Sequence, residues 1–208
     1  MMATTHVLAG VLVGVGLHAV APGAGAGPTA TTTVLAGGLG GLAPDFDLLG
    51  EHRKDLHFPA YGSLAALLAV VVAVAVPAPA TLAAAAFLLA AALHAVSDAV
   101  GGDLELRPWE ATGDRAVYEH LRGRWHGPHR WVRYDGAPED FLLGVALAIP
   151  ALATLSGPGR AVVAALLVVS AVYALVRRRL VDAGERAVGA LPESVLAAVP
   201  ETVIEDLR

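Results

Sequence analysis

The sequence contains no cysteine, which excludes disulfides and thiolate metal centres and leaves any metal to His, Asp or Glu. It is also short of charge. Asp, Glu, Lys and Arg make up 16% of its 208 residues, against roughly 25% in soluble domains, and Lys occurs once, at Lys54. An excess of positive charge is missing too: 14 basic against 19 acidic residues leave a net charge of -5. With no recognised motif beside it, that balance makes nucleic acid an unexpected partner. What fills the gap is apolar, since 56% of the residues are hydrophobic and mean hydropathy is +0.62. Lipid is the solvent that such a composition fits.

A transmembrane helix needs about 20 mostly apolar residues, with a range of about 17–25. Runs of this kind lie at 5–21, 29–43, 61–76, 80–100, 140–156 and 160–177, separated by Pro, Gly and charge clusters. The expected fold is therefore all-α, a polytopic membrane bundle of about six transmembrane helices. Residues 1–178 form its membrane-embedded domain, 101–139 a cytoplasmic loop within it, and 179–208 an acidic helical tail with apolar residues at helical spacing (Val188, Leu191, Val195, Leu196, Val199). The second run is short and rich in Gly and Thr. Its Gly37-x-x-x-Gly41 spacing, like Gly10-x-x-x-Gly14 in the first run, lets helix backbones approach closely. Pro150 should kink the fifth run. No Lys or Arg precedes the first run, whereas a secretory leader opens on positive charge, so that run is read as a span.

Cations set the orientation, because short cytoplasmic loops carry the excess of Lys and Arg. Arg53 and Lys54 follow the second run, Arg107, Arg115, Arg122, Arg124, Arg130 and Arg133 the fourth, and Arg177, Arg178 and Arg179 the sixth. The opposite loops hold none, apart from Arg160 at the very start of the sixth run. Multi-pass insertion in the plasma membrane with both termini cytoplasmic follows.

With that topology drawn, the remaining ionisable residues fall on one face. His6 opens the first run, Pro44-Asp45-Phe46-Asp47 closes the second, His52 and His57 follow, and His94 and Asp98 end the fourth. His94 and Asp98 are i,i+4 on a helix, on one side and about 5–6 Å apart at Cβ, close enough to address one cation. Asp45 and Asp47, after a helix-stopping proline, offer hard oxygen ligands from irregular backbone; His52 and His57 add nitrogen ligands that suit Zn, Mn, Fe or Ni. Each group alone has a plainer reading: an Asx turn for Asp45 or Asp47, a solvated loop for His52, an interfacial His6, a structural His94–Asp98 pair. Their convergence on one face, deduced from Lys and Arg alone, favours a shared site. His18 lies at the other end of the first run and reads as a packing or interfacial residue.

The order Thr5-His6, Pro44-Asp45-x-Asp47, His52-Arg53-x-x-x-His57 and His94-x-x-x-Asp98 resembles the YdjM-like family of inner-membrane metal-dependent hydrolases over residues 1–102. In that family the histidine segment more usually reads His-Arg-Gly-x-Thr-His-Ser. Here Lys54, Leu56 and Phe58 replace the Gly, Thr and Ser, while the two histidines and the arginine keep their spacing. The resemblance implies a metal-bound water at the cytoplasmic side of a helical bundle.

The functional expectation is a membrane hydrolase acting at the cytoplasmic face on a lipid or lipid-linked phosphoester or ester, or on a small-molecule substrate. His6, Asp45, Asp47, His52, His57, His94 and Asp98 would hold one or two divalent ions, zinc first. A carboxylate left outside the ligand set, Asp47 or Asp98, would act as general base or orient a ligand histidine, and Arg53 would neutralise oxyanion charge. The loop at 101–139, with Trp109, Trp125 and Trp131 among its arginines, suggests anionic headgroups, or a lid in which Arg122 and Arg124 join Arg53 in binding an anionic substrate. Two other classes use similar residues: a non-catalytic scaffold or regulator with a closed, structural metal site, and a metal or proton transporter, which should place ionisable groups near the midplane and on both sides.

Overall fold

Five of the six long helices begin on a proline. The computed structural model describes residues 1–21 and 28–192, and over them the helices are α1 (Ala3–Val20), α2 (Pro28–Leu42), α3 (Pro59–Ala75), α4 (Pro79–Ser97), α5 (Pro138–Thr154) and α6 (Pro158–Gly189). Proline suits the first helical position because its missing N–H needs no partner there and its φ is already helical. Each expected apolar run coincides with one helix, which starts within two residues of the expected position.

The lengths depart from expectation. Ala3–Val20, Pro79–Val100 and Pro158–Gly189 are long and apolar enough to cross a membrane, and Pro59–Ala75 is apolar but shorter; three candidate spans stand where six were expected. At 1.5 Å per residue, the 15 residues of α2 rise only about 22 Å, short of a hydrocarbon core of about 30 Å. At the other extreme, α6 does not stop at Arg178 but continues unbroken to Gly189, so the first part of the acidic tail is an extension of that helix. Residues 193–208, with the tail positions Val195, Leu196 and Val199, lie outside the described residues.

α1 and α2 meet backbone to backbone. A Cβ on Gly10 would sit 2.1 Å from the Gly37 carbonyl oxygen, one on Gly37 2.2 Å from that of Gly10, and one on Gly41 2.3 Å from that of His6. The two small-residue spacings are thus a single seam, and that seam brings Gly41 against His6. Around it, Leu8, Val11, Ala148, Ala151 and Val163 form one buried cluster between α1, α5 and α6, and Ala73, Leu82 and Ala85 a second between α3 and α4. The outer faces carry more apolar bulk than these cores: Leu64, Leu67, Leu68, Val71 and Val72 on α3 and Val162, Val168, Val169, Val172 and Leu175 on α6 are all exposed. Contiguous exposed apolar surface of this extent marks a membrane or partner surface.

Successive helices bring one set of ends together. Thr5 Oγ1 and the Met2 amide donate to the buried Asp140 carboxylate at the start of α5, at 2.7 Å each, and Ser170 of α6 donates to Thr4. The segment between α4 and α5 folds back over this end as a cap. Its amides at His129, Arg130 and Val132 bond the carbonyls of Ala99, Gly101 and Val100, and a hairpin pairs β1 (Val117–Glu119) with β2 (Arg124–His126). The expected basic, aromatic loop is thereby an ordered cap whose arginines are largely engaged within the molecule. Arg107 pairs with Asp182 and Glu185 of α6, Arg130 with buried Asp103 and Arg133 with Glu139. Arg177 and Arg178 lie over Trp109. Arg122 and Arg124, at the exposed hairpin tip, make no ion pair among the described residues.

Candidate metal centre

The end of α4 and the 3-10 turn that follows it, Asp98–Val100, carry the site's centre. His94 and Asp98, four residues apart, do lie on one side of the chain, with Nε2 of His94 3.4 Å from Oδ2 of Asp98. The glycine seam delivers His6, whose ring stacks on His94 with centroids 3.6 Å apart and whose Nε2 lies 3.2 Å from Oδ1 of Asp98. Pro44 opens a 3-10 helix, Ala43–Leu49, that carries Asp45 to 3.4 Å from His94 Nε2. His57, on the loop leading into α3, brings its Nε2 to 3.2 Å from that of His94 and 3.2 Å from Asp98 Oδ2. His6, His57, His94 and Asp98 are buried to within 3%; Asp45 retains partial exposure.

Hydrogen bonds on the far side of each ring fix which nitrogen is free. His94 Nδ1 donates to the Gly41 carbonyl at 2.7 Å, because a carbonyl can only accept. His57 Nδ1 donates to Asp47 Oδ2 at 2.7 Å. When both rings are neutral they present two lone pairs to one another, Nε2 to Nε2, inside a buried site. Such an arrangement calls for a cation between or beside them. His6 Nε2 is a further buried nitrogen without a hydrogen-bond partner.

The donors fit a metal. His6, His94 and Asp98 form one set and Asp45, His57 and His94 another, each with its ligand atoms within 4.8 Å of one another. In a tetrahedral site with bonds of about 2.0–2.2 Å, neighbouring donors stand roughly 3.3–3.6 Å apart, close to the 3.2–3.4 Å separations found here. Nitrogen and carboxylate ligands without thiolate suit zinc, and also Mn, Fe or Ni.

Asp47 and His52, also candidates from the sequence, fall outside both sets. Asp47 is saturated: its two oxygens accept from His52 Nδ1 at 2.8 Å, His57 Nδ1, and the amides of Lys54 and Leu56. Burial opposes ionisation of Asp47, yet the bonds from His52 and His57 outweigh it and hold its carboxyl well below the usual carboxylate range. The same contacts, with Asp98, raise His57 against the lowering effect of burial. For Asp45, His94 outweighs the burial and the carboxyl is lowered. Asp47 thus orients His57 in the manner of the carboxylate behind many ligand histidines. His52 is partly exposed and stands beside the centre.

Arg53 is buried with a left-handed backbone, φ 58°. Nη1 donates to the carbonyls of Gly102 (2.8 Å) and Ala116 (3.3 Å), tying the cap to the site, while Nε stands 3.6 Å from Asp98 Oδ2 with no hydrogen bond of its own. Arg122 and Arg124 are not brought to this cluster. His18 lies toward the opposite end of α1.

One side of the centre is open. Asp45, His52 and Arg53 line a cavity of about 440 Å³ whose other wall includes Val169, Tyr173 and Arg177 of α6. In the sequence the arginine of that wall speaks only to membrane orientation, and nothing distinguishes Tyr173; both pair with Asp135 of the cap. The Gly41 carbonyl behind His94 is equally invisible there, as a main-chain acceptor leaves no trace in residue type.

No protein-family model matches this chain, and no curated protein or solved structure is similar to it.

Proposed function

We propose that the chain is a six-span membrane protein whose cytoplasmic end holds one or two divalent ions and hydrolyses an ester or phosphoester at headgroup depth. The observation that carries this reading is the facing pair of Nε2 atoms of His57 and His94, flanked by Asp98 and Asp45, together with the open side at Asp45. A divalent ion there would supply Lewis acidity and bring the pKa of the water it binds toward neutrality. The protein's own residues do the rest. Asp47 and the Gly41 carbonyl hold His57 and His94 with their Nε2 atoms inward. Asp45, on the open side, faces His94 through Oδ1 and would take a proton from an attacking water through its other oxygen. Arg53 offsets the charge of Asp98 through Nε and, as part of the cavity lining, would add positive charge near the charge that develops on the substrate. The buried cluster excludes bulk water from all other directions, which strengthens each of these interactions.

Six spans require α2, α3 and α5 to cross despite their length, by local thinning of the bilayer or through packing against longer neighbours. Reporter fusions at Gly25, Pro79 and Gly157 should report outside, and those at Gly123 and Arg208 inside; an outside signal at Gly123 would remove the cytoplasmic site. The chemistry is tested by incubating detergent-purified protein, reloaded with zinc or manganese, with lipid phosphates, phospholipids and carboxyl esters. Metal-dependent turnover that vanishes in Asp98→Asn is expected. Retained metal without turnover on any of these would instead favour a structural-metal scaffold, a reading that the deep burial of four of the five ligands keeps open.

A further inference from the structure

The cavity beside the metal centre has two unlike rims, and this asymmetry carries a statement about what enters it. Arg177 at its top is paired with Asp135. Val169 lies eight residues earlier on α6, about 12 Å down the helix at 1.5 Å per residue, on the bundle's outer surface, 56% exposed. Leu48, 68% exposed, lies on the same 3-10 helix as Asp45. Both line the cavity, so exposed apolar side chains border it beside the charged ones. Of the lining acids, Asp103 pairs with Arg130, Asp135 pairs with Arg177 and accepts from Tyr173, and Glu105 makes no ion pair among the described residues. Arg53 is different. It is more than nine-tenths buried, its Nε has no hydrogen bond, and the strained left-handed backbone at this non-glycine residue is the kind of cost that persists where function requires a placement.

We propose that this cavity is a lateral portal: a membrane amphiphile carrying a phosphate slides in between Leu48 and Val169, its phosphate drawn to Arg53 beside Asp45 and its apolar part left between the two side chains. The proposal rests on the metal-site reading given above, since a phosphate beside Asp45 requires a cation to offset that carboxylate. It adds the direction of approach, the chemical class of the occupant and the residue that selects the phosphate. A soluble phosphate ester would need no outward apolar rim. A neutral lipid would give Arg53 no second charge beside that of Asp98.

The test is photo-crosslinking of the zinc-loaded full chain in phosphatidylcholine nanodiscs containing a trace of phosphatidic acid with a diazirine in its acyl chain. Diacylglycerol bearing the same diazirine serves as the control. Adducts should concentrate on Leu48 and Val169 for phosphatidic acid and not for diacylglycerol. They should fall about tenfold or more in Arg53→Met, the factor expected for loss of a charge-assisted hydrogen bond. Arg53→Met also removes the bonds to Gly102 and Ala116, so two further variants guard against misfolding. Val169→Trp, at an exposed position, should block the same adducts by filling the portal, and Arg53→Lys should keep much of them. Adducts spread evenly along the exposed faces of α3 and α6, equal for the two lipids, would overturn the proposal. So would Arg53-dependent binding of inorganic phosphate, followed by 31P NMR, without lipid adducts in the portal. Portal adducts without any turnover would support the portal and count against the hydrolase alone; turnover without portal adducts would do the reverse.

Discussion

Nε2 of His57 and Nε2 of His94 face one another across 3.2 Å, each ring committed through its other nitrogen to an acceptor behind it. Two imidazoles placed this way repel unless a proton or a metal ion intervenes, and the two cases behave differently on mutation, on titration and on chelation.

Loss of either anchor of the centre should remove the metal. His94→Ala and Asp98→Asn should each lower the metal content of protein dialysed after zinc loading to background while the chain remains inserted and helical by circular dichroism. His18→Ala should keep it. Equal zinc in all three variants, measured by inductively coupled plasma mass spectrometry, would place the metal elsewhere.

Asp47 contributes through the ring it holds. Asp47→Asn keeps its size but weakens the bond that fixes the His57 tautomer, and loss of such a partner typically costs about 10–100-fold in metal affinity. Competition with a zinc chelator should register a weakening in that range. An unchanged affinity would mean that His57 needs no help in presenting Nε2.

Acidity should act in opposite directions on the empty and the loaded protein. His57 binds its proton more tightly in the folded chain than its ordinary value of 6.5. Without metal, this contribution to stability is therefore fully present below about pH 6.5 and lost as pH rises through the raised folded value. With metal, the ligands must be deprotonated, so the stabilisation by zinc grows with pH and fades on acidification. Thermal unfolding in detergent across pH, with and without zinc, should show the two slopes crossing. Parallel slopes would refute metal binding through His57.

The glycine seam should be intolerant of any side chain. Gly10→Val introduces a Cβ that would stand only 2.1 Å from the Gly37 carbonyl oxygen, and overpacking of that kind costs about 1–3 kcal/mol or more. Because Gly41 and His6 belong to the same seam, zinc affinity should fall along with stability. Gly16→Val, where a Cβ meets nothing within 4 Å, is the matched control and should leave both nearly unchanged.

At the hairpin tip, Arg122→Glu together with Arg124→Glu should weaken association of the detergent-purified protein with anionic vesicles, and the difference should shrink as salt rises. Arg130→Glu is not equivalent. It strikes the pair with buried Asp103 and should destabilise the cap whatever lipid is present.

Much of this arrangement is legible in the chain itself. The apolar runs and the prolines before them locate the helices, and the i,i+4 spacing of His94 and Asp98 predicts their common side. The distribution of cations brings His6, Asp45 and His57 to the same end. Two kinds of information are missing from residue types. Asp47 and Asp45 look alike two residues apart, and only the turn of the 3-10 helix sends one behind His57 and the other toward the open cavity. The cap reads as a string of unpaired arginines because their partners lie far off in sequence: Asp103 reaches Arg130 only when the cap folds on itself, and Asp182 and Glu185 reach Arg107 only when α6 continues past the apolar run.

That continuity of α6 has a mechanical side. Pro158–Gly189 is a single rod, gripped at its far end by Arg107 through Asp182 and Glu185, while its middle forms a wall of the cavity. A rod pivoting at its outer end turns angle into displacement: over the 15 residues from Pro158 to Tyr173, about 22 Å at the helical rise, a tilt of roughly 5° shifts that wall by about 2 Å. A pull on the acidic stretch beyond Arg179 that tilted α6 would therefore change the width of the proposed portal. Spin-label distances between α6 and the hairpin would read that gearing directly.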